Sequence, residues 1–223
     1  MTVRTRTDFS VPRHWIVVTV VLFVVTFALG FLVKLVPAIG TAQLPLDAAL
    51  NSRHTPAIDA IALGLDKLDQ PVVVGVILLV VFGVMWALKN WRRSLGVCVV
   101  AGAGWVTCLV VKYAVHLPRP DLNDVPHQLL KSASTLSYPS GHVAFVAALG
   151  AALFMTVSLR ASRIAIVIVF ALLAIVVAVS RLYVGVHYLT DTIGGCLNGV
   201  AGALLFAGLW NLLAHRVLRQ SRH

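Results

Sequence analysis

Three short stretches of the chain hold residue types that can do chemistry together. The first sets Lys112 seven positions before Arg119 and Pro120, the second is Pro139-Ser140-Gly141-His142, and the third runs from Ser180-Arg181 to His187 and Asp191. Arginine presents a planar fork that matches two phosphate oxygens at once, and lysine adds a compact charge. Ser140 and Gly141 stand where a helix would open, and there free amides and the positive end of the helix dipole attract anions. Gly141 also leaves room for close backbone approach.

Two histidines complete the set. His187 and Asp191 are four residues apart, so on one helical turn they share a face and can hydrogen-bond. A carboxylate on one imidazole nitrogen fixes the tautomer and makes the other nitrogen a better nucleophile. His142 has no partner within its own stretch, which frees it to give a proton to a leaving oxygen. Nucleophile, orienter, acid and anion clamp are the parts that phosphoryl transfer through a phosphohistidine requires.

Such parts need rigid elements to hold them, and the composition says which kind. The 223 residues are 59% hydrophobic and 12% charged, which excludes an ordinary soluble domain. Six apolar segments approach the length of a membrane span: Trp15–Val36, Pro71–Leu88, Leu95–His116, Ser140–Leu159, Ile164–Ser180 and Thr192–Ala214. The fifth is the shortest and can draw length from Arg181–Val186. The first is too long for a cleaved leader and reads as an uncleaved anchor. Residues 37–70 alternate apolar and polar positions at helical spacing, as one or two short amphipathic helices at the interface would. The expected fold is all-α: a six-transmembrane-helix bundle with short amphipathic external helices between the first two spans, residues 1–223 forming one domain. Cys98, Cys108 and Cys196 all fall within apolar segments and read as small buried thiols.

The formal charge of +10 could suggest a nucleic-acid partner, but its distribution excludes one. Arg4, Arg6, Arg13, Lys89, Arg92, Arg93, Arg160, Arg163, Arg216, Arg219 and Arg222 fall on one side of the six spans, with Asp8 as the only acid. On the other side Lys34, Arg53, Lys67, Lys112, Arg119, Lys131 and Arg181 balance the seven remaining aspartates. The whole excess lies on one face, which predicts cytoplasmic termini and an extracytoplasmic site in a plasma membrane. All three chemical stretches fall on that same external side. The chain has no Asn-x-Ser/Thr sequon, which favours a bacterial membrane.

These stretches resemble the signature of the type-2 phosphatidic acid phosphatase family, also called lipid phosphate phosphatases. Its pattern is Lys, six residues, Arg-Pro; then Pro-Ser-Gly-His; then Ser-Arg, five residues, His, three residues, Asp. Every fixed position is present between Lys112 and Asp191. The resemblance implies that His187 attacks phosphorus, Asp191 orients it and His142 protonates the departing oxygen. Lys112, Arg119, Ser140, Gly141 and Arg181 would hold the phosphoryl oxygens. It also implies a metal-free enzyme with no cofactor, and the site is read as having one carboxylate, that of Asp191. The expected substrate is a polyprenyl diphosphate, a phosphatidate or a phosphatidylglycerol phosphate. A phosphotransferase using the same site and a lipid-phosphate binding or transport protein are the alternative readings. His116, His54, Asp59, His127 and Asn198 read as rim, loop-surface or packing residues, and Gly195 and Gly199 as a small-residue pair for helix packing. The external loop Leu117–Tyr138 is expected to shape the head-group pocket.

Overall fold

The computed structural model of the chain describes residues 9–88, 91–130 and 136–220, the last six by backbone alone. Arg4, Arg6, Asp8, Lys89, Lys131 and Arg222 of the charge comparison lie outside the described residues, as do the side chains of Arg216 and Arg219. Regular structure among the described residues is helical: α1 Trp15–Leu35, α2 Pro37–Thr41, α3 Leu44–Asn51, α4 Pro56–Leu65, α5 Pro71–Leu88, α6 Trp91–Val115, α7 Gly141–Phe154, α8 Arg160–Val184 and α9 Leu189–Gln220, with one 3-10 turn at Leu122–Asp124.

Proline opens several of these helices, standing at the first position of α2, α4 and α5, where its missing N–H is no loss. Thr55 caps α4 by accepting a hydrogen bond from the Ile58 amide. The external segment thus forms three short helices, one more than the sequence pattern suggests. Of these, α3 and α4 pack against α8.

Five helices, α1, α5, α6, α8 and α9, are long and apolar enough to cross a bilayer. Their outer faces expose Ile16, Val20, Val72, Leu79, Val167 and Leu172, as a lipid-facing surface does. The chain is an integral membrane protein. The fourth expected span, Ser140–Leu159, forms a shorter helix. Helix α7 has 14 residues, about 21 Å of helix at 1.5 Å each, short of a hydrocarbon core of about 30 Å. Every residue from Gly141 to Gly150 is buried. A helix enclosed by other helices need not match the bilayer, and this is why its length departs from the sequence expectation. The fifth span departs the other way, running 25 residues from Arg160 to Val184.

Helix α9 is the spine, packed on α7, α6 and α1. Small residues on its several sides make this possible. A Cβ on Gly202 would stand 2.5 Å from the Gly104 carbonyl of α6, and one on Gly195 would stand 2.5 Å from the Ser140 carbonyl. Without side chains at these crossings the helix backbones meet directly. Asn198 Nδ2 donates across to the Thr107 hydroxyl at 3.1 Å, tying α9 to α6 inside the bundle. The thiols divide: Cys108 is buried and Cys98 half-buried with its Sγ donating to the Leu78 carbonyl, whereas Cys196 is exposed on the flank of α9. The buried-thiol reading fails at Cys196 because that position faces outward from the spine.

Candidate active site

The end of α6, the start of α7, the end of α8 and the start of α9 converge at one end of the bundle, and they bring together all eight residues singled out from the sequence. Helix α8 stops at Gly185, whose φ of 74° is the left-handed conformation that glycine adopts without strain. The amide of Val186 closes that end by donating to the Arg181 carbonyl. The reversal carries His187 back into the bundle, where it is 1% exposed.

His187 precedes α9 rather than lying on it, so its pairing with Asp191 is not the helical-face contact expected from spacing. Asp191 is the third residue of α9. Its Oδ2 accepts the Tyr188 amide at 2.9 Å, as a capping residue does, and meets His187 Nδ1 at 3.2 Å. One carboxylate oxygen therefore both starts the helix and holds the imidazole. His187 Nε2 is buried and has no protein partner. Burial holds this imidazole well below its ordinary pKa, and Arg119, Lys112, His142 and Arg181 push in the same direction. It is neutral, with a lone pair on Nε2 when the proton sits on the Nδ1 that Asp191 accepts.

His142 is the second residue of α7 and stands with its ring centre 6.3 Å from that of His187, the two planes at 74°. The opening of α7 is tied to α9 by a backbone bond, the Ser140 amide donating to the Asp191 carbonyl at 3.0 Å. Ser140 Oγ is buried without a partner. Tyr138 wedges this turn in place, its hydroxyl donating to the Thr26 carbonyl of α1 while its ring fills the space beside Gly30 and Gly194. No motif marks Tyr138, and the glycines that receive it lie 108 residues before and 56 after, too far for local pattern to reveal.

The three cations are anchored by main-chain oxygens. Lys112 Nζ donates to the Leu136 and Ser137 carbonyls, and Arg119 donates to the Val186 carbonyl beside His187. Leu136 and Ser137 are thereby drawn onto the site, helped by the Ser137 amide donating to the Leu117 carbonyl. Arg181 is fully buried, donating to the Ala62 carbonyl and the Ser180 hydroxyl and paired with Asp66.

That pairing corrects the expectation of a single carboxylate. The link between α4 and α5 brings in Asp66 and also Asp69, whose Oδ1 is 3.2 Å from His142 Nε2. Burial raises the pKa of Asp69 against the pull of Lys112, Arg119 and Arg181. Sequence offered little signal for these two, since they sit more than 70 positions before His142 in a segment read as interfacial.

Nearby, His54, Asp59 and His127, expected as loop surface, form one cluster. The imidazoles stack at 3.9 Å, Asp59 lies within 3.4 Å of His127, and the Tyr183 hydroxyl donates to Asp59. The cluster fastens α4 to the external loop and to α8. Below it an apolar groove of about 260 Å³ runs between α4 and α8, lined by Ile58, Ile61, Ile175 and Val179 and ending at Ala62 and Ser180, the two residues that hold Arg181. His116 is exposed at the end of α6 with a φ of 55°, a left-handed turn that ends the helix.

A family model described as the PAP2 superfamily matches residues 92–213. The chain is 29% identical over 102 residues to "Putative undecaprenyl-diphosphatase YbjG" of Escherichia coli (strain K12), covering 46% of this chain and 49% of that protein. It thus spans about half the length of that relative. It is 25% identical over 177 residues to phosphatidylglycerophosphatase B of Bacillus subtilis (strain 168), covering 77% of this chain and 84% of that one. The crystal structure of a transmembrane PAP2-type phosphatidylglycerolphosphate phosphatase from Bacillus subtilis superposes with a TM-score of 0.71 at 23% identity, over 86% of this chain and 96% of that one. That of Aquifex aeolicus LpxE gives 0.56 at 20% identity, over 74% and 94%. Both share the fold.

Proposed function

The chain belongs to the PAP2 superfamily, and from that premise we propose that it is a metal-independent lipid phosphate phosphatase working through a phosphohistidine at the extracytoplasmic face of a bacterial plasma membrane. The observation that carries this is the pair of imidazoles: His187, held on Nδ1 by Asp191 and open on a buried Nε2, faces His142 among three cations.

In the proposed reaction His187 Nε2 attacks phosphorus while the bond from phosphorus to the lipid oxygen breaks. The electron pair passes to that oxygen, which takes a proton from His142 and leaves as the lipid alcohol, or as a lipid monophosphate when the substrate is a diphosphate. Water then attacks the phosphohistidine, His142 accepts its proton, and inorganic phosphate departs as the P–N electrons return to His187. Lys112, Arg119, Arg181, the unpartnered Ser140 hydroxyl and the Gly141 amide that opens α7 would hold the phosphoryl oxygens and stabilise the charge on them. Those cations supply the neutralisation for which other phosphatases use a metal.

The substrate class is a polyprenyl diphosphate or a glycerolipid phosphate of the phosphatidate or phosphatidylglycerol phosphate type. The names of the two relatives support both, and the groove between α4 and α8 supports a long apolar chain reaching Arg181 from the bilayer side. The test is phosphate release by purified protein in detergent from these three lipids, wild type beside His187→Ala. Release by wild type alone is expected. If His187→Ala keeps appreciable turnover, the phosphohistidine is wrong. A folded wild type that releases nothing from any of them would favour a phosphotransferase lacking its acceptor or a binding protein.

A further inference from the structure

A general acid must carry a proton when the substrate arrives, and the surroundings of His142 oppose this. Arg181 of α8, Arg119 beyond α6 and Lys112 on α6 all act electrostatically on its ring, and His187 faces it at 6.3 Å. Cations disfavour an imidazolium, as does burial, and His142 is 3% exposed. Asp191 is committed to His187, and the Asp66 carboxylate to Arg181; the Asp66 main-chain carbonyl reaches His142 Nε2 at 3.1 Å, and Arg181 Nη1 stands 3.5 Å from the same nitrogen. The remaining carboxylate is that of Asp69. Its Oδ1 is 3.2 Å from His142 Nε2, and its Oδ2 fills the place beside Gly141, 2.9 Å from where a Cβ would stand. The bare α carbon of Gly141 is what admits it.

Resting on the phosphatase reading above, we propose that Asp69 is the positioning residue of His142, so that the site contains a second His–Asp pair built from the link between α4 and α5. The two pairs are complementary. Asp191 holds His187 on Nδ1 and leaves Nε2 open, whereas Asp69 holds His142 on Nε2 and leaves a buried Nδ1 with no protein partner. Asp69 stabilises the imidazolium, Nδ1 gives its proton to the lipid oxygen as the P–O bond breaks, and His142 regains a proton from the attacking water. Asp69 touches no reacting atom and acts through His142.

The experiment compares wild type, Asp69→Asn and Asp69→Glu on two soluble monoesters, hexyl phosphate and p-nitrophenyl phosphate. Hexanolate needs a proton to leave, and nitrophenolate does not. Asp69→Asn is expected to lower kcat/KM, which reports the steps up to departure of the alcohol and not the later hydrolysis, by about 100-fold on hexyl phosphate and by less than about threefold on p-nitrophenyl phosphate. On hexyl phosphate the basic limb of its pH profile should move to lower pH, and Asp69→Glu should restore part of the loss. Equal losses on both esters would overturn the proposal by showing a merely structural role. Undiminished kcat/KM with tighter inhibition by inorganic phosphate would also overturn it, since Asp69 would then only occupy the anion's place. A wild type inactive on both esters and on the lipids would instead sink the phosphatase reading itself, an outcome visible before any variant is compared.

Discussion

Replacing Gly195 by alanine tests whether the crossing of α7 and α9 sets the catalytic geometry. The added Cβ would stand 2.5 Å from the Ser140 carbonyl oxygen, where ordinary contact begins at 3.4 Å, with the Ala144 amide nitrogen and Val143 Cβ at 3.3 Å. The closest obstacle is backbone, so no side chain can rotate away, and the two helices must part by roughly 1 Å. Ser140 donates its amide to the Asp191 carbonyl, and His142 follows two residues later. The displacement therefore falls on the registry between the two histidines. Overpacking of this kind costs about 1–3 kcal/mol, and a misplacement of about 1 Å costs about 100-fold in rate. We expect Gly195→Ala to fold, to melt a few degrees lower and to lose about 100-fold in kcat on a soluble monoester. Gly75→Ala and Gly83→Ala, with nothing within 4 Å of the new methyl, serve as controls and should match wild type. A Gly195→Ala enzyme with wild-type kcat would refute the reasoning, because the cradle would then be insensitive to the helix crossing that places it.

Arg119→Lys keeps the charge but loses the fork and the bond to the Val186 carbonyl, so kcat/KM on a lipid phosphate should fall by about 10-fold or more; kinetics equal to wild type would show that charge alone suffices. Val179→Trp fills the groove between α4 and α8 and should raise KM for a long-chain lipid phosphate while leaving that for p-nitrophenyl phosphate unchanged, whereas equal effects on both would remove the groove as the chain's path. Asp47 of α3 is 1% exposed, and burial, with Asp191 nearby, raises its pKa from 3.8 to about 8. The folded state keeps this proton while the unfolded chain loses it above pH 4, so stability falls by about 1.4 kcal/mol per pH unit between the two values. Asp47→Asn should therefore gain on wild type in thermal midpoint as pH rises from 5 to 8; parallel profiles would show that Asp47 ionises freely.

What the sequence revealed follows the range of the interactions involved. Apolar length is a local property, and the limits of α1 and α5 fall within a residue of the expected spans. The three motifs sit at element ends, so setting the spans also set them on one end of the bundle. Helix α7 is shorter than the span expected for it because burial within protein removes the length rule that the bilayer imposes. His187 and Asp191 were paired correctly for a mistaken reason: their contact comes from the capping of α9 after the turn at Gly185. Asp66 and Asp69 were missed as site residues because neither a motif nor a periodicity ties them to His142 and Arg181.

The missing carboxylates alter how the site is to be understood. Three cations at one membrane boundary, Arg181 fully buried and Lys112 and Arg119 half-buried, would be costly if left unpaired, since each is wholly or partly removed from water. Asp191, fixed by α9, and Asp66 and Asp69, carried by the external link, balance Lys112, Arg119 and Arg181 one for one. In the proposed reaction a phosphate entering this site competes with Asp66 for Arg181. Helices α3 and α4, which pack on α8, and the link to α5 that carries Asp66 and Asp69 thus help to build a site that the three motifs alone do not complete.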